Sequence, residues 1–319
     1  MNFDIDIIYL WCNIEDPEFK KRKEAFSNGL TLHPQANDIC RYSDNGELRY
    51  SLRSLEKYAP WVRNVFIVTD NQIPEWLNLD NPKVKVINQN DILPDSAKPS
   101  FNSIAIEHCL KNIPDLAEHY IYANDDMFFN APITPDFFFN KKGYPIVRVR
   151  KKRKNITGLY LSAVKIAEDL IYKKYNVLID NEPHHNIDAY TKTDVQNCYE
   201  TFKEEIDKSI NSHFRSPDNI ERAIYQKYFV AVGHGTYKRV SRIDTSLPFY
   251  MRIINLIRKK YQKDSSLAFP HYRNIDEVLE RFNPKLFCIN DSEETTDDDR
   301  IYVKDFLKRH FPEKSNFEI

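Results

Sequence analysis

The chain has 319 residues, 41% hydrophobic and 29% charged, with a formal net charge of -1. That is the composition of one elaborated globular domain or two lobes, and it excludes disorder and a global basic field for nucleic acid. The six glycines build neither a G-x-G-x-x-G turn nor a Walker loop, which removes direct support for a dinucleotide fold or a P-loop kinase.

Cys12, Cys40, Cys109, Cys198 and Cys288 are scattered without C-x-x-C spacing, so they read as reduced thiols in a cytosolic protein rather than a zinc knuckle or disulfide frame. Met1-Asn2-Phe3-Asp4 lacks the basic region of a signal peptide. No stretch reaches the ~20 apolar residues of a membrane span. The expected place is the cytoplasm, at most on the inner face of the membrane. Aromatics reach 13%, and a thick aromatic core explains that better than sugar-stacking platforms do.

In chain order, Asp4–Trp11 is a buried strand broken at Asn13, Asp16 and Pro17. Residues 18–28 are helix-permissive, and Glu47–Tyr58 has helical spacing ended by Ala59-Pro60. Val65–Asp70 and Val84–Ile87 are further strands, and Ser103–Leu110 is a helix. Tyr120–Ala123 is a fourth strand, running into Asn124-Asp125-Asp126. This alternation predicts an α/β domain with a Rossmann-like, mostly parallel sheet, of the kind that nucleotide-sugar transferases use. Ligands of such sheets gather at the carboxyl ends of the strands.

After Pro135 the pattern changes. Residues 141–154 hold eight Lys or Arg and read as an exposed loop or hairpin. Helices are predicted over 157–180, 192–210 and 218–230, forming a lid over the sheet. Residues 295–299 read as an acidic linker before a last helix, Ile301–His310. The expected organisation is 1–140 as an α/β core, 141–294 as a helix-rich region completing the same domain, and 295–319 as C-terminal helix and tail.

Asn124-Asp125-Asp126 is the strongest chemical signal. Two carboxylates and an amide delivered by a strand suit Mg²⁺ or Mn²⁺ holding a diphosphate, whereas a surface turn is the common alternative. Asn290-Asp291, after another apolar run, repeats the pattern and offers a further carboxylate. His184-His185 offer a general base, and Arg215 a bidentate phosphate clamp, though either type alone is usually a surface residue. The basic segment 148–154 reads as a solvated face before it reads as a polyanion site. Residues 252–263 form either an ordinary packed helix, the commoner outcome, or a basic amphipathic helix lying on an acidic membrane surface.

These pieces, in this order, resemble the Stealth family of sugar-phosphate transferases. That family includes bacterial capsular polysaccharide phosphotransferases and the animal enzyme that places N-acetylglucosamine-1-phosphate on lysosomal glycoproteins. Ile5–Asn13 is similar to its first block. Residues 41–130 resemble the second, through Arg41–Asn45, Glu47–Ser54, Ala59–Arg63, Gln72-Ile73-Pro74, Phe101-Asn102-Ser103 and Asn124-Asp125-Asp126. His185 with Arg215 resembles the third and Cys288–Asp291 the fourth. Ile187 stands where the family usually has proline, and His184 beside His185 leaves the choice of base open.

The resemblance implies attack by an acceptor hydroxyl on the phosphorus nearer the sugar of a UDP-sugar, releasing UMP. The acceptor would be a glycan or lipid-linked oligosaccharide of a bacterial surface polysaccharide. It implies a cation on Asp125, Asp126 and Asp291, with Arg215 on a phosphate oxygen and His185 as base. Asn124 and Asn290 flank that site. Arg49, Arg53 and Asn102 are candidates for phosphate or sugar contacts, with structural salt bridges an equal reading for the two arginines. Asp6 and Asn13 are candidates to shape the nucleotide site. A glycosyltransferase releasing UDP and a non-catalytic carbohydrate-binding module are the rival readings.

Overall fold

The computed structural model describes residues 2–151, 158–179, 181–240, 248–259 and 261–319. Its strands, in chain order, are β1 (Ile5–Leu10), β2 (Val65–Thr69), β3 (Val84–Asn88), β4 (His119–Asn124), β5 (Met127–Phe129) and β6 (Ile146–Lys151). There follow β7 (Asn181–Pro183), β8 (Asp188–Thr191), β9 (Thr236–Arg239), β10 (Ser265–Ala268) and β11 (Leu286–Ile289).

The near-continuous apolar runs of β1, β2 and β4 are buried on both faces, as strands of a parallel sheet must be. They form a five-stranded sheet in the order β3-β2-β1-β4-β8, parallel except for the edge strand β8. The expected α/β architecture is therefore the observed one. Register pairs Leu10 with Asn124 and Leu10 with Val68, so the carboxyl ends of β1, β2 and β4 share one edge.

One face of this sheet is covered by helices Ser103–Cys109, Leu159–Tyr175, Lys192–Thr201, Lys203–Ile210 and Ala223–Ala231. Their apolar sides meet Ile8, Phe66 and Tyr122 in one cluster with Ile171, Ile206 and Phe229. The other face packs on Glu47–Tyr58 through Leu48, Leu52 and Leu55. A second, three-stranded sheet runs β10-β11-β5, with β11 antiparallel to β5. Asp125 and Asp126 form the turn by which the chain leaves one sheet and enters the other.

Two sequence expectations change here. The acids at 297–299 are not a linker but the first turn of helix Asp297–His310. Thr296 and Asp299 close a capping box, and negative charge suits the positive end of a helix. Residues 146–151 are strand β6, paired with β7 and β9, rather than a loop. Within the basic segment, Arg148 is buried against Asp264 at 2.7 Å, while Lys152, Arg153 and Lys154 lie outside the described residues. No helix among the described residues is long and apolar enough to cross a membrane.

Candidate active site

A cavity of about 610 Å³ opens at the carboxyl edge of the main sheet. Leu10 and Asn124 enter it from strand ends, Asp125 and Asp126 from the inter-sheet turn, and Asn290 and Asp291 from the loop after β11. The antiparallel register places Cys288 opposite Met127, and the Ile289 amide donates to the Asp126 carbonyl at 3.0 Å. That pairing joins the two Asn-Asp motifs, although 162 residues separate Asp126 from Cys288.

The carboxylate cluster is larger than the sequence suggested. One oxygen from each of Asp44, Glu47 and Asp125 lies within 4.8 Å of the other two. The expected trio of Asp125, Asp126 and Asp291 is therefore not the tightest set among the described residues. Asp126 accepts from the Cys288 thiol at 3.4 Å, and Asp291 is held by the Arg300 guanidinium at 3.1 Å and by the Ser292 amide.

Burial pushes Glu47 and Asp126 up to about 7. It pushes Asp125 well above the carboxylate range, with the charges of Glu47, Asp126 and Asp44 adding to the rise. Asp44 also rises through burial. Packed carboxylates in this condition are short of positive charge. Asp126 Oδ1 is buried with no hydrogen-bond partner. A hard divalent cation matches both the all-oxygen donor set and the charge deficit, so these residues fit Mg²⁺ or Mn²⁺.

His185 lines the same cavity, held at a positive φ of 57°. Its Nε2 lies 3.1 Å from Asn290 Oδ1, and the ring of Tyr160 meets it edge-on at 5.6 Å. Burial, with the charges of Arg222 and Arg150, lowers the imidazole to about 3, so it is neutral near pH 7. His184 points elsewhere: its ring bridges Ser265 Oγ at 2.9 Å and Asp188 at 2.8 Å in the interior. Of the pair, only His185 lines the cavity.

Arg215 lines it too, donating to Ser103 Oγ. Arg41 stands close by and was not singled out from sequence. Burial and the charge of Arg215 push its guanidinium down to about 10. The Arg41 Nε donates to the Gln35 carbonyl, and among the described residues neither Arg41 nor Arg215 has a carboxylate at ion-pair distance. Asn124 accepts from the Tyr122 hydroxyl at 2.7 Å, and that hydroxyl also meets Glu107 at 2.9 Å.

Five candidates lie off the cavity wall. Asp6 sits at the amino end of β1, fully buried, taking Arg63 in a two-pronged ion pair and the amides of Asn64 and Ala117. It ties strand ends together on the wrong edge of the sheet for a ligand. Arg53 grips Glu318 through two bonds of 2.8 Å, and Arg49 lies 3.5 Å from the same carboxylate, so the salt-bridge reading holds for both. Asn102 caps helix Ser103–Cys109 and binds the Ser212 carbonyl and Asn219, steadying the loop that carries Arg215. Asn13 caps Glu15, and its main chain pairs with Gln72.

A family model described as Stealth protein CR2, conserved region 2, matches residues 41–147. The chain is 32% identical over 331 aligned residues to "Exopolysaccharide phosphotransferase SCO6023" of Streptomyces coelicolor, covering all of this chain and 53% of that protein. It is 30% identical to "Capsular polysaccharide phosphotransferase fcs1" of Haemophilus influenzae, over 95% of this chain and 81% of that one. It thus spans about half the length of the Streptomyces relative. A solved structure of galactosyltransferase LgtC with donor and acceptor sugar analogs aligns over 96% of this chain and 95% of that one. The two chains are 11% identical and superpose with a TM-score of 0.43.

Proposed function

This chain belongs to the Stealth family, and from that premise we propose that it transfers a sugar 1-phosphate from a UDP-sugar to a glycan hydroxyl, releasing UMP. The acceptor on this reading is a growing bacterial surface polysaccharide or its lipid-linked precursor. The observation that carries it is the meeting, in one cavity, of a carboxylate cluster, a neutral histidine and two arginines that have no carboxylate partner among the described residues.

Phosphoryl transfer asks a protein for alignment and charge neutralisation more than for covalent chemistry. Asp44, Glu47 and Asp125, with Asp126 and Asp291 beside them, would hold the divalent cation. When bound, it supplies positive charge to the donor diphosphate and to the departing UMP. Arg41 and Arg215 grip phosphate oxygens. The acceptor oxygen forms a bond to the phosphorus nearer the sugar, and the bond from that phosphorus to the bridging oxygen breaks. UMP leaves with the electron pair.

His185 takes the acceptor proton. Because an amide oxygen only accepts, its partner Asn290 keeps the proton on Nε2 and leaves Nδ1 as the basic nitrogen. The carboxylates cannot all be spare bases, since the cation needs their lone pairs.

The test is to incubate the chain with a panel of UDP-sugars, an oligosaccharide acceptor and Mn²⁺, and to identify the nucleotide released. UMP with a phosphodiester product supports the proposal. UDP as the only nucleotide product means attack at the anomeric carbon instead, and sugar binding without turnover means a non-catalytic module.

A further inference from the structure

The helix Phe249–Ile257 is built inside out. At 100° per residue, Leu256, Phe249, Ile253, Ile257, Tyr250 and Ile254 fall on one arc of about 160°, with Met251, Asn255 and Arg252 opposite. A helix on a globular surface turns its apolar arc toward the core. This one does the reverse. None of its residues is buried, and the half-buried positions are Met251, Arg252 and Asn255.

Phe249 is 70% exposed and Ile257 76%. Of the fifteen large hydrophobic residues exposed among the described residues, six stand within these nine positions. Single exposed hydrophobics are ordinary, but a contiguous patch marks a docking face. The ordinary packed helix expected from sequence is not what forms.

Charge decides what the face docks against. Residues 248–259 contain Arg252, Arg258 and Lys259 and no acidic residue. On the helical projection Arg252 sits about 40° beyond Leu256, and Arg258 about 40° beyond Ile254, so cations bracket the apolar arc at both edges. A second copy of the chain would bring the same cations against them. An anionic lipid surface instead offers phosphates to the bracketing cations and acyl chains to the arc between them.

We propose that helix Phe249–Ile257 is an interfacial anchor that lays its apolar arc into an anionic lipid surface. This proposal does not depend on the transfer reaction. The experiment is flotation of the full chain with vesicles of phosphatidylglycerol and phosphatidylcholine, or of phosphatidylcholine alone. The chain is expected to float with the mixed vesicles at low salt, to be released as salt screens the cations, and to float poorly with the neutral ones. L256E/I257E should lose roughly tenfold or more in binding, and R258E/K259E should lose binding to the anionic vesicles only.

Both variants should keep the wild-type circular dichroism and melting temperature, because no altered side chain is buried. Three results would each overturn the proposal. They are no binding to mixed vesicles at low salt, unchanged binding by L256E/I257E, and a wild-type dimer by light scattering that L256E/I257E converts to monomer.

Discussion

His185 Nε2 and Asn290 Oδ1 lie 3.1 Å apart across 105 residues of chain. The contact fixes the tautomer of the proposed base, so its removal should act on the chemistry before it acts on the fold. Asn290→Asp places an anion where a neutral acceptor stood and favours the imidazolium. The acid limb of the kcat profile should move up by roughly one pH unit or more. A profile that stays in place would remove His185 from the role of base.

Cation binding should follow the oxygen cluster. Asp125→Asn and Glu47→Gln are each expected to weaken Mn²⁺ binding, measured by calorimetry, by roughly tenfold or more. Asp291→Asn should cost less, because Arg300 already engages that carboxylate. A loss at Asp291 equal to that at Asp125, with none at Glu47, would restore the set expected from sequence.

The same cluster links stability to pH. Glu47 and Asp126, raised to about 7, hold protons that the unfolded chain releases near pH 4. Their contribution is therefore most favourable at low pH and is lost as pH rises toward 7. In chelator, the melting temperature should fall between about pH 5 and about pH 7. Mn²⁺ binds the ionised forms and should raise it more at the higher pH; equal stabilisation at both would contradict this.

Arg41→Lys and Arg215→Lys keep the charge and lose the planar fork. Each should raise the donor KM or lower kcat by about tenfold or more. Arg41→Lys leaving both constants unchanged would return Arg41 to the role of a structural arginine holding Gln35.

Arg53→Ala tests the opposite assignment. Breaking its nearly buried pair with Glu318 should cost about 3 kcal/mol of stability with no change in donor KM. A KM effect in a variant of unchanged melting temperature would bring back a substrate role.

Much of this was legible in the chain. The strand running into Asn124 announced the cavity edge, because parallel sheets deliver their loops there, and Asn290 joins it from the second sheet. Asp6 misled because charge near a strand says nothing about which end of the sheet it occupies. Asp44 and Glu47 were in view as part of a motif, yet they become candidate ligands only when the loop before helix Glu47–Tyr58 is laid against the Asp125 turn. Arg41 was hidden in the same way: a lone arginine gains meaning from having no carboxylate partner among the described residues, which only three dimensions show. The amphipathic pattern of Phe249–Ile257 was readable, but not which side the protein would keep.

The pairing of β5 with β11 also sets an order of events during synthesis. Asp125 and Asp126 leave the ribosome early, but the wall carrying Asn290 and Asp291 arrives some 160 residues later. Contacts so distant in sequence form slowly. A nascent chain therefore holds Asp44, Glu47, Asp125 and Asp126 while Asn290 and Asp291 are still to be made, and the cavity wall closes only when the last strand has docked.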